Sequence, residues 1–227
     1  MEQKLKQIID KIIKISNPVS IFLYGSRAKG DYTDESDYEI GIVYKSIEDK
    51  PDLQTIQKCL DDSTVSAYPF ILKDLYECTI DTPFQKKIFI YELKKIAKTI
   101  FGEDILGQID LPIITKTDIV EDVRFYVGLS LASIISDRNG DQVTARDLFY
   151  KSCLFGLRDL IYLQKGLLPT NYKSIYIEGQ DLSIPENYKI LTRKAIDVRE
   201  NKCDYDRSDL YQNISFLNNY IEQKIKD

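Results

Sequence analysis

The hydrophobic periodicity of this chain changes character near residue 115, and that change limits the folds open to it. Ahead of this point, short apolar runs of strand length alternate with helical stretches; beyond it, every apolar run recurs at helical spacing. Residues 103–115, with Gly107 and Pro112, read as a connection. The expected organisation is therefore a first domain over 1–110 with strands and helices, and a second over 111–227 made of helices alone. With 227 residues in total, such a chain can bury enough apolar surface to fold without disulfides.

In the first part, Leu5, Ile8, Ile9, Ile12 and Ile13 predict an amphipathic helix closed by Ser16-Asn17-Pro18. Ser20 to Tyr24 reads as a strand, and Gly25 permits a sharp turn into a helical turn over 26–30. Glu39 to Tyr44 reads as a second strand, 52–62 as a helix, and Thr64 to Leu72 as a third strand in which Pro69 points to a sheet edge or a bulge. Thr82-Pro83-Phe84-Gln85 predicts the start of a helix that carries Phe89, Leu93, Ile96 and Ile100 and stops near Gly102.

In the second part, Asp118 with Glu121 predicts the cap of a helix running to Asn139-Gly140. A second helix holds Ala145, Leu148, Phe149, Cys153, Leu157 and Ile161 in register and ends at Gly166 and Pro169. After a polar, Tyr-rich loop, Tyr188, Leu191, Ala195 and Val198 predict a third helix, and Leu210, Ile214, Leu217 and Ile221 a fourth. Four helices with short connections suggest an antiparallel bundle.

Composition removes several chemistries. With no histidine, Ser-His-Asp and Cys-His catalysis and His-ligated zinc are excluded. The net charge of −5 argues against general nucleic-acid binding. Cys59, Cys78, Cys153 and Cys203 form no CxxC pair and read as reduced thiols. No apolar run reaches the ~20 residues of a membrane span, and the N-terminus lacks a signal-peptide core. A soluble, cytoplasmic protein is expected, with no membrane partner.

What remains is chemistry on carboxylates, Lys, Arg, Tyr, Ser and a bound metal, and one stretch concentrates it. Phe22 to Val43 contains Gly25-Ser26-Arg27-Ala28-Lys29-Gly30, then Ser36-Asp37-Tyr38-Glu39. Side chains alternate along a strand, so Asp37 and Glu39 point to one face and repel each other unless a cation intervenes. Magnesium suits such a pair, because it takes one or two carboxylates and completes its shell with phosphate oxygens and water. Gly25 and Ser26, leaving a strand for a helical turn, would offer N–H groups and a hydroxyl to phosphate oxygens, with Arg27 and Lys29 adding positive charge. An ordinary turn beside a solvated edge strand would also account for either half of the pattern alone.

The joint pattern resembles the signature of the DNA polymerase beta type nucleotidyltransferase superfamily, minimal and antibiotic-modifying members included. The resemblance implies an α+β nucleotidyltransferase domain, a mixed sheet with flanking helices, followed by an all-α antiparallel helical bundle. It implies Gly25, Ser26, Arg27 and Lys29 as nucleotide-binding residues and Asp37 and Glu39 as ligands of magnesium, two ions, with ATP as the expected triphosphate. Family members carry a third carboxylate on the next strand, and Ser63 to Lys73 contains none. The base is then expected from Asp62, Asp74 or Glu77, or from Glu121 or Asp122 in the second domain, unless catalysis has been lost. Ala145-Arg146-Asp147-Leu148 and Lys165-Gly166-Leu167-Leu168-Pro169 resemble HEPN-like bundles, which implies a substrate-binding or dimerisation module and, in the latter case, a homodimer.

The expected activity is Mg-dependent transfer of a nucleoside monophosphate to a hydroxyl of a small molecule, an aminoglycoside-like or lincosamide-like antibiotic. The alternatives are an antitoxin-like enzyme that modifies a protein, and an inactive nucleotide-binding scaffold. Tyr150, Tyr162, Tyr172 and Tyr176, among 16 tyrosines, could rim a cleft for a cationic acceptor, although core packing explains them equally well.

Overall fold

The computed structural model describes residues 2–33 and 36–226, which fall into two compact units. The first comprises Met1–Thr82 and Lys86–Ile113, the second Pro83–Gln85 and Ile114–Asp227.

The first unit is built on a four-stranded sheet, β1 (Ser20–Tyr24), β2 (Tyr38–Tyr44), β3 (Val65–Ile71) and β4 (Lys98–Gly102), in the order β3-β2-β1-β4. β1 runs antiparallel to β2 and β4, and β2 runs parallel to β3, so the sheet is mixed. β3 lies at an edge, where Pro69 costs no ladder hydrogen bond on the open side. β4 was not expected: Ile96 and Ile100 fit a helical stripe, but the helix α5 (Lys86–Ile96) ends early and the chain pairs with β1. That helix also begins later than Thr82-Pro83 predicts, at Lys86.

Strand alternation sorts the core into two layers. On one face, Ile21, Leu23, Ile40, Ile42 and Ala67 pack with Ile8 and Ile12 of α1 (Glu2–Ile15) and Ile56 and Leu60 of α3 (Leu53–Leu60). On the other, Phe22, Val43 and Phe70 pack with Leu75 of α4 (Leu72–Glu77), Ile90 and Leu93 of α5, and Ile105 and Leu106 of α6 (Ile105–Gln108). Each such fully buried side chain is worth about 1.5–3 kcal/mol of transfer free energy. The short helix α2 (Gly25–Lys29) joins β1 to the loop before β2.

The second unit is helical throughout: α7 (Lys116–Arg138), α8 (Gln142–Lys165), α9 (Tyr172–Gln180), α10 (Glu186–Arg199), α11 (Arg207–Ile214) and α12 (Glu222–Lys226), the last two joined by a π-helical turn, Ser215–Ile221. The Tyr-rich loop of the sequence reading is partly the helix α9, which Asn171 caps by accepting from the Ser174 N–H. Thr115, not Asp118, is the N-cap of α7; Asp118 is its reciprocal partner in a capping box. Among the described residues no helix is long and apolar enough to cross a membrane.

Candidate active site

The sheet register assembles the acidic pair with its neighbours. Tyr24 of β1 faces Glu39 of β2, which faces Ser66 of β3 on its other side. Side chains in register share a face, so these three line up across the sheet, with Asp37 two residues ahead of Glu39 on the same face. The exposed Ser66 hydroxyl donates to Oδ2 of Asp37.

Gly25 closes this arrangement from the β1 side. Its φ is +67°, and a Cβ there would lie 1.4 Å from Oε2 of Glu39, so neither the backbone conformation nor the space admits a side chain. Tyr24, the residue ahead of α2, has extended backbone and gives no side-chain cap. The Glu39 carboxylate therefore lies over the start of α2, at the residue before Ser26.

Arg27 and Lys29, expected beside the phosphates, have structural partners. Arg27 Nε and Nη2 donate to the Ser36 carbonyl at 3.0 and 2.6 Å, and Nε also to the Asp37 carbonyl at 3.2 Å. Its guanidinium stacks on Tyr38 at 4.2 Å and Tyr32 at 4.9 Å. The side chain thus braces the backbone that carries Asp37. Lys29 Nζ lies 3.8 Å from Oε1 of Glu92 on α5, which ties α2 to that helix.

The pair creates a negative field. The Tyr24 hydroxyl is pushed well above the ordinary phenol range, first by burial and then by the charges of Glu39 and Asp37. The Tyr68 hydroxyl is also pushed up, by burial and then by the charge of Asp81, and it donates to the Asp81 carbonyl. A divalent cation fits the donor set only together with a ligand: among the described residues no group of three or more His, Cys, Asp or Glu could hold a metal. Two carboxylates plus phosphate oxygens are what magnesium ordinarily accepts.

Other carboxylates are placed elsewhere. Asp62 is bound by Lys4 and by Thr64, which hold it well below the usual carboxylate range. Asp74 and Glu77 belong to α4, which follows β3; because β2 and β3 are parallel, that is the end of the sheet remote from Asp37. Along the strand, Ile71 is about 16 Å from Ser66 at ~3.3 Å per residue. In the second unit, Glu121 is exposed and accepts from Gln85 Nε2 at 3.4 Å, while Gln85 also donates to Asp118 at 2.8 Å. Asp122 is 1% exposed and lies in an ion cluster, with Arg158 Nη2 donating to it at 2.6 Å. Arg158 Nε lies 3.5 Å from Asp159, whose carboxyl is pushed well up by burial and by the charge of Asp122. The sequence reading missed Ser66, which has no charge to draw notice, and Arg158, whose place between Leu157 and Leu160 on a buried helix face was a legible signal.

Comparisons with known proteins bear on the fold. Residues 3–106 match the family model described as "Polymerase beta, Nucleotidyltransferase". The fold of the chain is similar to that of the spectinomycin adenyltransferase AAD(9) from Enterococcus faecialis, solved with ATP and spectinomycin. The TM-score is 0.60 at 15% sequence identity, with 98% of this chain and 99% of that chain covered. No curated protein sequence is significantly similar. Residues 3–106 are thus similar to nucleotidyltransferases of the polymerase beta type, and a helical unit follows them.

Proposed function

We propose that the chain transfers a nucleoside monophosphate, AMP from ATP in the first instance, to a hydroxyl of a small cationic acceptor of the aminoglycoside or lincosamide kind. The observation that carries this reading is the joining of Gly25-Ser26 to Asp37 and Glu39 on one face of the sheet, with Glu39 filling the space over Gly25.

In this reading the N–H groups of the Gly25-Ser26 turn and the Ser26 hydroxyl hold the triphosphate, and Asp37 and Glu39 face its negative charge across the metal they ligate. Arg27 keeps the 36–37 backbone in place through its three carbonyl contacts. Magnesium held there would neutralise the phosphates and stabilise the attacking and leaving oxygens. The acceptor oxygen bonds to the α phosphorus, the bond from that phosphorus to the bridging oxygen breaks, and pyrophosphate departs. The acceptor's proton leaves to solvent; of the two second-unit carboxylates named for the base, Asp122 is closed in by Arg158 and Glu121 is exposed.

Support for the acceptor class comes from the second unit. Phe84, Phe125, Tyr126, Phe155 and Tyr172 form a continuous ladder of ring contacts at 5.1–5.5 Å. Ring faces and edges in such a ladder favour a cation. The structural neighbour, bound to ATP and spectinomycin, has a ligand of that class.

The test is incubation with α-labelled ATP, Mg2+ and a panel of aminoglycosides and lincosamides, with Asp37→Asn as control. Labelled small-molecule product, lost in the variant, is expected. Label on a protein band would redirect the acceptor to a protein hydroxyl, and no transfer to anything would overturn the reading. A second reading, nucleotide binding without transfer, is favoured by the hydroxyl of Ser66 on β3, where a carboxylate would serve catalysis. Calorimetry showing ATP binding without turnover would select it.

A further inference from the structure

We propose that Ser66 is a positioning residue for the divalent cation, and that the hydroxyl at this place makes cation binding conditional on the triphosphate. The inference rests on the nucleotidyltransferase reading above and specifies how its metal site is completed.

Three observations converge on Ser66. It stands directly across from Glu39 in the parallel β2–β3 ladder, so it shares the face of the acidic pair. Its hydroxyl donates to Oδ2 of Asp37. It is exposed on an edge strand, where no packing requirement calls for a serine. The bond occupies one oxygen of Asp37 and fixes the carboxylate's rotation, which leaves Oδ1 as the oxygen aimed at a cation. Arg27 grips the carbonyl of the same residue at 3.2 Å, so Asp37 is held from its backbone and from its side chain by two different elements. Partners that orient a ligating carboxylate in this way commonly govern metal affinity.

Charge supplies the second half of the inference. A hydroxyl is neutral, so Ser66 adds nothing to the formal charge of Asp37 and Glu39, which one divalent ion balances. Magnesium requires close to six oxygens at octahedral positions and gives up water reluctantly. Two carboxylates, one of them with an oxygen already committed to Ser66, compete poorly with water until phosphate oxygens join them. A carboxylate at residue 66 would remove that dependence.

The experiment follows protein-bound Mn2+ by equilibrium dialysis, against a protein-free control, with and without a non-hydrolysable ATP analogue, in full-length wild type, Ser66→Ala, Ser66→Thr and Ser66→Asp. Wild type is expected to bind Mn2+ at least about 10-fold more tightly with the analogue than without it. Ser66→Ala should weaken the analogue-dependent binding by about 10-fold, Ser66→Thr should recover most of it, and Ser66→Asp should gain binding without the analogue. Melting temperatures close to wild type would show that the exposed position does not act through folding. Mn2+ binding by Ser66→Ala equal to wild type, or wild-type binding indifferent to the analogue, would overturn the proposal while leaving nucleotide binding intact. Wild type that binds neither Mn2+ nor the analogue would overturn the nucleotidyltransferase reading and this inference with it.

Discussion

Oε2 of Glu39 lies 1.4 Å from the point where a Cβ on Gly25 would begin, so the Gly25-Ser26 turn and the Glu39 carboxylate occupy adjoining space that only a glycine leaves open. The same glycine has φ +67°, a region that costs an L-residue about 1–2 kcal/mol. Gly25→Ala should therefore displace the Glu39 carboxylate as well as strain the turn. Expected are a fall in ATP affinity of at least about 10-fold, from the strain and lost ligand geometry together, and a lower melting temperature. Titration calorimetry and thermal unfolding check both.

Arg27 braces the backbone that carries Asp37. A lysine cannot reproduce its planar fork to the Ser36 and Asp37 carbonyls or its stacking on Tyr38 and Tyr32. Arg27→Lys should weaken Mg2+ saturation of the reaction by about 10-fold without a comparable change in melting temperature. The measurement is the activity at increasing Mg2+ with ATP held fixed.

Asp122 and Glu121 are neighbours in sequence with opposite fates. Removing a partner from the buried Arg158 cluster leaves an uncompensated charge, so Asp122→Ala and Arg158→Ala should each cost about 3–5 kcal/mol. Glu121→Gln, at an exposed position, should leave stability within about 0.5 kcal/mol. Denaturant unfolding separates the two roles.

Asp159 gives the fold a pH dependence whose sign follows from its environment. Burial and the charge of Asp122 raise its folded-state value above that of the unfolded chain, so the native state holds a proton that the unfolded state releases. The resulting stability is fully present below the unfolded carboxyl value and is lost as pH rises through the raised folded one. Asp159→Asn, neutral at every pH, should remove this slope, so its stability relative to wild type should increase from pH 5 to pH 8. Denaturant midpoints at the two pH values test it.

The elements legible in advance were those whose signal is local. Pro69 marked β3 as an edge or bulged strand, and the sheet order makes it an edge; the Lys/Ile pattern of the first helix marked its buried face, and turn chemistry at Gly25-Ser26 marked the end of β1. Lys98–Gly102 misled because its isoleucine continues the spacing of α5; only pairing with β1 makes it a strand. Residues 172–180 read as a loop because their tyrosines and polar residues show weak periodicity, and docking against α8 and α10 decides the helix.

The sequence by itself determined the local pattern of the site, because the glycine turn and the i, i+2 carboxylates depend on neighbours a few residues away, where strand alternation alone puts the carboxylates on one face. Tertiary structure alone decided what surrounds them. Ser66 reaches Asp37 from 29 residues away, and Arg158 reaches Asp122 from 36, contacts that depend on strand register and helix packing rather than on local spacing. Pairing between strands placed a hydroxyl beside Asp37, and burial turned Asp122 from a candidate base into half of an ion pair.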